Sequence, residues 1–174
     1  EIKKDLGIAK DSIVLLFIGR IVRDKGVVEL VEAFNRIIDK HLNVCLLFVG
    51  PQELSKTDLG IVTESTTDTR VKFIGYTDVP EKYMAVSDVL CIPSYREGFG
   101  TVVIEAAAMG LPAVGSNIYG LSDAIVNGKT GLLVEPKNVE QLTNALLKFF
   151  NDIDLCQLLG QNAQKRTVQY FSSE

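Results

Sequence analysis

A chain of 174 residues with a hydrophobic fraction of 47% supports one domain with a full apolar core and is too short for two ordinary ones. Its net charge of −4, with Lys and Arg scattered among a larger number of acids, argues against a nucleic-acid partner. No apolar run approaches the roughly 18 residues of a membrane span, and the charged start Glu1-Ile2-Lys3-Lys4-Asp5 lacks the apolar stretch of a signal peptide.

In chain order, short β-branched runs alternate with segments of helical period. Ile13 to Gly19 reads as a strand, Val27 to Lys40 as an amphipathic helix and Val44 to Gly50 as a second strand. Val71 to Ile74, Val89 to Ile92, Ala113 to Ser116 and Gly131 to Val134 continue the strands, nearly all apolar as strands buried on both faces are. Helices fit at Val79 to Val86, with Asp78 as N-cap and Pro80 in the first turn, and at Thr101 to Met109, with Gly110 past its end. Leu121 to Val126, Val139 to Phe150 and an amphipathic Asp154 to Tyr170 complete the set, and Asn127-Gly128 and Thr130-Gly131 mark a turn before the last strand. The alternation predicts an α/β fold, a Rossmann-like doubly wound parallel sheet in a single domain. Cys45, Cys91 and Cys156 lie far apart without zinc spacing and read as buried thiols of a reducing, cytoplasmic compartment.

In such a sheet ligands sit beyond the C-terminal strand ends, at the point where the strand order reverses. The first strand ends at Gly19-Arg20 and opens a loop with Arg23, Asp24, Lys25 and Gly26; the fourth ends at Ile92-Pro93 and opens Ser94-Tyr95-Arg96-Glu97-Gly98-Phe99-Gly100. A helix beginning near Thr101 directs unpaired N–H groups and the positive end of its dipole into that loop, a natural seat for a diphosphate. Arg20 and Lys25 supply cations for the same anion. Glu97 and Glu105, with seven residues between them, accept hydroxyl hydrogen bonds and suit the diols of a ribose or a hexose. Each residue also has an ordinary reading: strand-end bases as solvated or paired charges, Glu97 as a solvated loop acid, Glu105 as a first-turn acid that favours the helix dipole, Gly98 and Gly100 as turn formers. His41, the sole histidine, reads as a surface residue at a helix end. No nucleophile with a neighbouring base and no metal-ligand cluster is evident, and the phosphate loop of nucleotide hydrolases and the glycine fingerprint of dinucleotide enzymes are missing. Paired carboxylates also serve glycoside hydrolysis, which needs a fixed separation that a loop-to-helix placement does not specify.

Phe17-Ile18-Gly19-Arg20, Lys25-Gly26, Glu97-Gly98-Phe99-Gly100, Glu105-Ala106 and Gly128-x-Thr130-Gly131-Leu132-Leu133-Val134 together resemble the C-terminal half of a retaining GT-B glycosyltransferase of family four, over essentially the whole chain. The resemblance implies a nucleotide-sugar (donor) binding domain spanning residues 1–174, with the N-terminal acceptor domain absent from this chain. It implies that Arg20 and Lys25 bind the donor diphosphate, that Glu97 holds hydroxyls of the donor sugar and that Glu105 binds the ribose. Arg20, Lys25 and Glu97 are then the catalytic set. The backbone of Gly98, Phe99, Gly100, Thr101 and Val102, with Gly19, completes the phosphate seat, and Tyr76 lies where the family places the base, although a core or surface tyrosine is an equal reading.

The implied reaction moves a sugar, from a UDP-sugar or another nucleotide-sugar, to a saccharide or lipid-linked saccharide with retention of configuration and without a metal or other cofactor. Capsular, exopolysaccharide or O-antigen synthesis in bacteria is the context that the motifs resemble most. The protein is then cytoplasmic, with peripheral attachment to the inner membrane a further placement for a full-length form. Two other functions fit the same residues: half of a GT-B-fold UDP-sugar epimerase, and a non-catalytic nucleotide-binding module.

Overall fold

The central strands form where the chain is apolar on both faces, whereas the edge strand Val71–Gly75, expected to be buried likewise, has no fully buried residue and leaves Phe73 43% exposed because it has a neighbour on one side only. The computed structural model describes residues 1–41, 43–65 and 68–171. After a single helical turn, α1 (Ile2–Asp5), the chain enters β1 (Ile13–Ile18), makes a 3-10 turn at Arg23–Lys25 and continues through α2 (Val27–Ile38), β2 (Val44–Val49), α3 (Lys56–Ser65), β3 (Val71–Gly75), α4 (Glu81–Met84) and β4 (Val89–Ile92). The second half comprises α5 (Thr101–Ala108), β5 (Ala113–Ser116), α6 (Leu121–Ala124), β6 (Gly131–Val134), α7 (Val139–Asn151) and α8 (Ile153–Tyr170). Among the described residues the strands make one six-stranded sheet in the order β3-β2-β1-β4-β5-β6, every pair parallel. This is the expected doubly wound α/β sheet in a single domain, with the order reversing between β1 and β4.

Side chains alternate across β1, so it feeds two cores. Leu15 and Phe17 join Leu30, Phe34, Phe48, Leu146 and Phe149 on the side of α2 and α7. Leu16 joins Leu47, Leu90, Val103, Ala106 and Leu121 on the opposite side. α2 buries Val27, Leu30, Val31, Phe34 and Ile37, the i, i+3, i+4, i+7 stripe that made it legible. The last two helices are capped by side chains: Asn138 accepts from the Gln141 N–H and Asp152 from the Leu155 N–H, each at 2.9 Å.

Two expectations change. The cap before α4 is Pro80 and not Asp78, whose carboxylate instead accepts the Tyr76 hydroxyl at 2.6 Å. The helix α3 was absent from the sequence reading because Lys56–Ser65 has Gly60 at its centre and no clear apolar stripe, with Val62 as its buried anchor. The three cysteines are free and buried as expected, and burial pushes the Cys91 thiol up to about 12 and those of Cys45 and Cys156 up to about 11. None is a nucleophile at neutral pH. His41 stacks on Phe150, with ring centroids 5.3 Å apart. Among the described residues no helix is long and apolar enough to cross a membrane.

The start of β3 is tied to the end of α2 by the Arg70 side chain. Arg70 donates to Asp68 through Nε at 2.9 Å and Nη2 at 2.6 Å and reaches the carbonyls of Ile38 and His41 at 3.3 Å. The Arg70 side chain, with help from its own N–H, holds the Asp68 carboxyl down to about 2. A carboxyl depressed in the folded state adds stability above its unfolded value near ~4, and that stability is lost as the pH falls through the folded value. Asp68→Asn should therefore cost about 2 kcal/mol at neutral pH, and the gap from wild type should close between about pH 4 and 2 in urea titrations.

Candidate functional site

The chain builds its site by pulling the loops after β1, β2 and β4 together. Past the strand ends the Gly19 N–H donates to the Val49 carbonyl at 3.0 Å and the Ile21 N–H to the Pro51 carbonyl at 2.9 Å, so the first two loops run side by side. The Tyr95 N–H donates to the Asp24 carbonyl at 2.8 Å and fastens the loop after β4 to the 3-10 turn after β1. Gly26, at φ 72°, turns the chain into α2 with no room for a side chain: a Cβ there would lie 2.0 Å from the Pro93 carbonyl oxygen.

Between these loops lies a cavity of about 450 Å³, lined by Gly19, Arg20, Lys25, Glu97, Phe99, Gly100, Thr101, Val102 and Glu105, with Phe17, Ile18, Ile92 and Ser94 at its walls. Ten of the eleven residues expected at the site thus fall on it or beside it, since Tyr76 lines an adjoining cavity of about 320 Å³ that shares Ile18, Gly19 and Arg20. Gly98 does not line either one. Its carbonyl abuts Gly120, where a Cβ would approach it to 2.0 Å, so Gly98 lies against the loop before α6. A larger opening of about 770 Å³, between residues 1–10 and Val86, lies at the opposite ends of the strands. The ammonium of Lys3 there is committed to the Lys10 and Ser12 carbonyls, and the ligand face of such a sheet is the other one.

Both bases in the first cavity are already paired. Lys25 Nζ contacts Glu97 Oε1 at 2.7 Å, and the Ser94 hydroxyl donates to the same oxygen at 2.8 Å. Arg20 donates through Nε at 2.9 Å and Nη2 at 2.6 Å to Glu53 Oε2 on the exposed rim, and that carboxylate raises the affinity of the guanidinium for its proton. Gly100, at φ 68°, precedes α5, and no side chain caps this helix. Its first N–H groups and the positive end of its dipole face the cavity. Glu105 is not a first-turn acid, contrary to the simplest reading of its position. It stands one turn further along, where the dipole gives it little, and its presence in the lining needs another reason.

Two further residues of the site, Ser94, which is fully buried, and Glu53, are not among those expected from the sequence. Ser94 was visible in principle, since Ser-x-x-Glu places a hydroxyl within reach of a carboxylate three residues on. Glu53 carried no local signal, because its role arises from the pairing of the β1 and β2 loops.

Residues 1–166 match the family described as Glycosyl transferases group 1. The chain belongs to that family. Over 168 residues it is 35% identical to the capsular polysaccharide biosynthesis glycosyltransferase CapM of Staphylococcus aureus, covering 94% of this chain and 43% of that protein. Among solved structures it resembles sucrose-phosphate synthase from Thermosynechococcus elongatus, at 32% identity and a TM-score of 0.86, over 98% of this chain and 44% of that one. It also resembles Anabaena HepE in complex with UDP-glucose, at 26% identity and a TM-score of 0.88, over 98% of this chain and 48% of that one. This group 1 glycosyltransferase chain thus spans less than half the length of each of these three proteins, and its fold corresponds to one Rossmann-like half of a GT-B structure.

In this glycosyltransferase chain the cavity depends on Gly26. Gly26→Ala should lower stability by more than ~2 kcal/mol, from the left-handed backbone and the clash with Pro93 together, whereas Gly98→Ala, with open space around its Cβ, should cost less than about 1 kcal/mol. Urea unfolding of the two variants measures the contrast.

Proposed function

We propose that residues 1–174 form the nucleotide-sugar (donor) binding domain of a bacterial hexosyltransferase, and that the acceptor is held by a further, N-terminal domain outside this chain. The observation that carries the reading is the single cavity at the β1/β4 reversal, where two bases, two acids and an uncapped helix N-terminus meet. In this reading the diphosphate sits on the amides at the start of α5, with Arg20 and Lys25 on its flanks. Glu97 takes hydroxyls of the sugar, Glu105 those of the ribose, and the base occupies the cavity beside Tyr76.

The same groups stabilise the leaving diphosphate as the glycosidic bond breaks, because their charge is aimed where negative charge develops. This is why we propose donor binding and transfer without a metal or cofactor. Retention of configuration, assignment to family four and a UDP-linked donor belong to the same proposal. The resemblance of the motifs supports the first two, and the likeness to a structure that holds UDP-glucose supports the third. The acceptor we propose is a saccharide or lipid-linked saccharide in capsular, exopolysaccharide or O-antigen synthesis, consistent with the likeness to the capsular enzyme. A cytoplasmic location, with peripheral attachment of the full-length protein to the inner membrane, fits the three free thiols.

Calorimetry on this chain with UDP, UDP-glucose and a GDP-sugar tests the reading. UDP and UDP-glucose should bind, and no sugar transfer should occur without the acceptor domain. Glu97→Gln should weaken UDP-glucose about tenfold and leave UDP nearly unchanged, while Glu105→Ala should weaken both by a similar factor. Arg20→Ala should also weaken both, with a loss that shrinks at high salt. Nucleotide binding that ignores Glu105→Ala would remove the ribose assignment, and the absence of any nucleotide binding would remove the donor reading.

A further inference from the structure

The loop that presents Glu97 has a second side, facing away from the cavity. Ser94 and Glu97 line the cavity, whereas the Tyr95 side chain runs the other way, toward the first turn of α2, where its hydroxyl donates to Glu29 Oε1. Arg23 Nε donates to the same phenol oxygen at 3.4 Å, and Lys137 Nζ stands 4.6 Å from the ring centroid. Lys137 is itself unusual. Among the described residues it is the non-glycine residue at positive φ, 60°, a conformation that persists only where the surroundings hold it.

Glu29 is 8% exposed, and its Oε2 is buried without a hydrogen-bond partner among the described residues. A buried carboxylate joined to one hydroxyl is a poor device for stability, since an apolar pair of similar size would fill the same space at less cost. What such a pair does supply is direction. The hydrogen bond fixes where the Tyr95 ring points, the Tyr95 N–H to Asp24 fixes its backbone, and Glu97 follows two residues later on the opposite side.

We propose that Tyr95 and Glu29 are a positioning pair that holds the loop after β4 so that Glu97 faces the sugar half of the donor, an inference that rests on the donor-binding reading above. Neither residue touches the donor. The pair sets the affinity for the sugar and leaves that for the nucleotide to the helix N-terminus and the bases.

The test is calorimetry of UDP-glucose and UDP on the wild-type chain, Tyr95→Phe, Glu97→Gln and the double variant. Tyr95→Phe keeps the ring under Lys137 and removes only the hydroxyl. It should lower UDP-glucose affinity about tenfold and UDP affinity less than about twofold. Added to Glu97→Gln it should cost nothing further, because both changes act on one contact. Glu29→Gln keeps an acceptor oxygen for the hydroxyl and should lose markedly less than Tyr95→Phe, a rescue that a space-filling role would not produce. In the ligand-free chain, amide exchange of residues 94–100 should be about tenfold faster in Tyr95→Phe, with the strands unchanged. Additive losses, unaltered exchange, or a Tyr95→Phe chain that binds UDP-glucose as the wild type does while Glu97→Gln does not, would overturn the positioning role and leave the donor reading in place. A Glu97→Gln chain that binds UDP-glucose as the wild type does would overturn both.

Discussion

Parallel pairing of β1 with β4 reverses the strand order at the centre of the sheet, and the cavity follows from that reversal. Strands on either side of it send their following helices to opposite faces, so the loops between them part and leave a crevice. The registers Leu15 with Val89 and Leu16 with Leu90 fix the depth of that crevice, because they set how far the Gly19 and Pro93 ends stand from one another. The glycines then decide how tightly it closes. Gly26 against Pro93 and Gly120 against Gly98 are contacts at which a single added carbon has no space, and both join the loops around the cavity without lining it.

Electrostatics within the crevice follow from the chain's acidity. Each base near the opening has an acid as partner: Arg20 with Glu53, Arg23 with Asp58, Lys25 with Glu97. On the donor reading, an anion therefore enters by exchange. The exposed Arg20–Glu53 pair is worth little in water, so the guanidinium turns toward a phosphate at small cost. Lys25 and Glu97, 26% and 18% exposed, lie deeper, and separating them leaves two charges in need of partners. On the donor reading, a nucleotide-sugar answers both at once, with phosphate oxygens for Lys25 and sugar hydroxyls for Glu97, whereas a free nucleotide answers only the first. Discrimination between the two ligands then comes from the internal pair as much as from any new contact.

What the sequence makes legible is what depends on local pattern. The strands read as apolar runs, α2 and α7 as stripes, and the cavity residues Gly19, Arg20, Lys25, Glu97, Phe99 and Glu105 as the contents of two loops, and of the helix after the second, that the strand order brings together. What it hides is set by tertiary pairing. Glu53 meets Arg20 because the β1 and β2 loops run in parallel, and no spacing within residues 50–55 announces it. Helix α3 is hidden for a different reason: with Gly60 at its centre and Val62 as its anchor, it is held by a neighbour and not by its own period. Asp78 misled because it has the right chemistry for a cap two residues too early and spends its carboxylate on Tyr76.

The two cavity acids end with different physical roles. Glu105 is carried by a helix and has its direction from the helix backbone alone. Glu97 is carried by a loop, and both of its described contacts, from Lys25 and Ser94, fall on one oxygen, Oε1. On the donor reading, the second oxygen is the one left for a sugar hydroxyl, in a geometry that holds only while the loop keeps its twist. A loop carboxylate can match the angular demands of a sugar only if something outside the cavity removes its freedom. Ser94 is buried on one side of the peptide and Tyr95 is anchored on the other, and on the proposed positioning role this over-determined twist adds to the direction that Glu97 takes from Lys25 and Ser94.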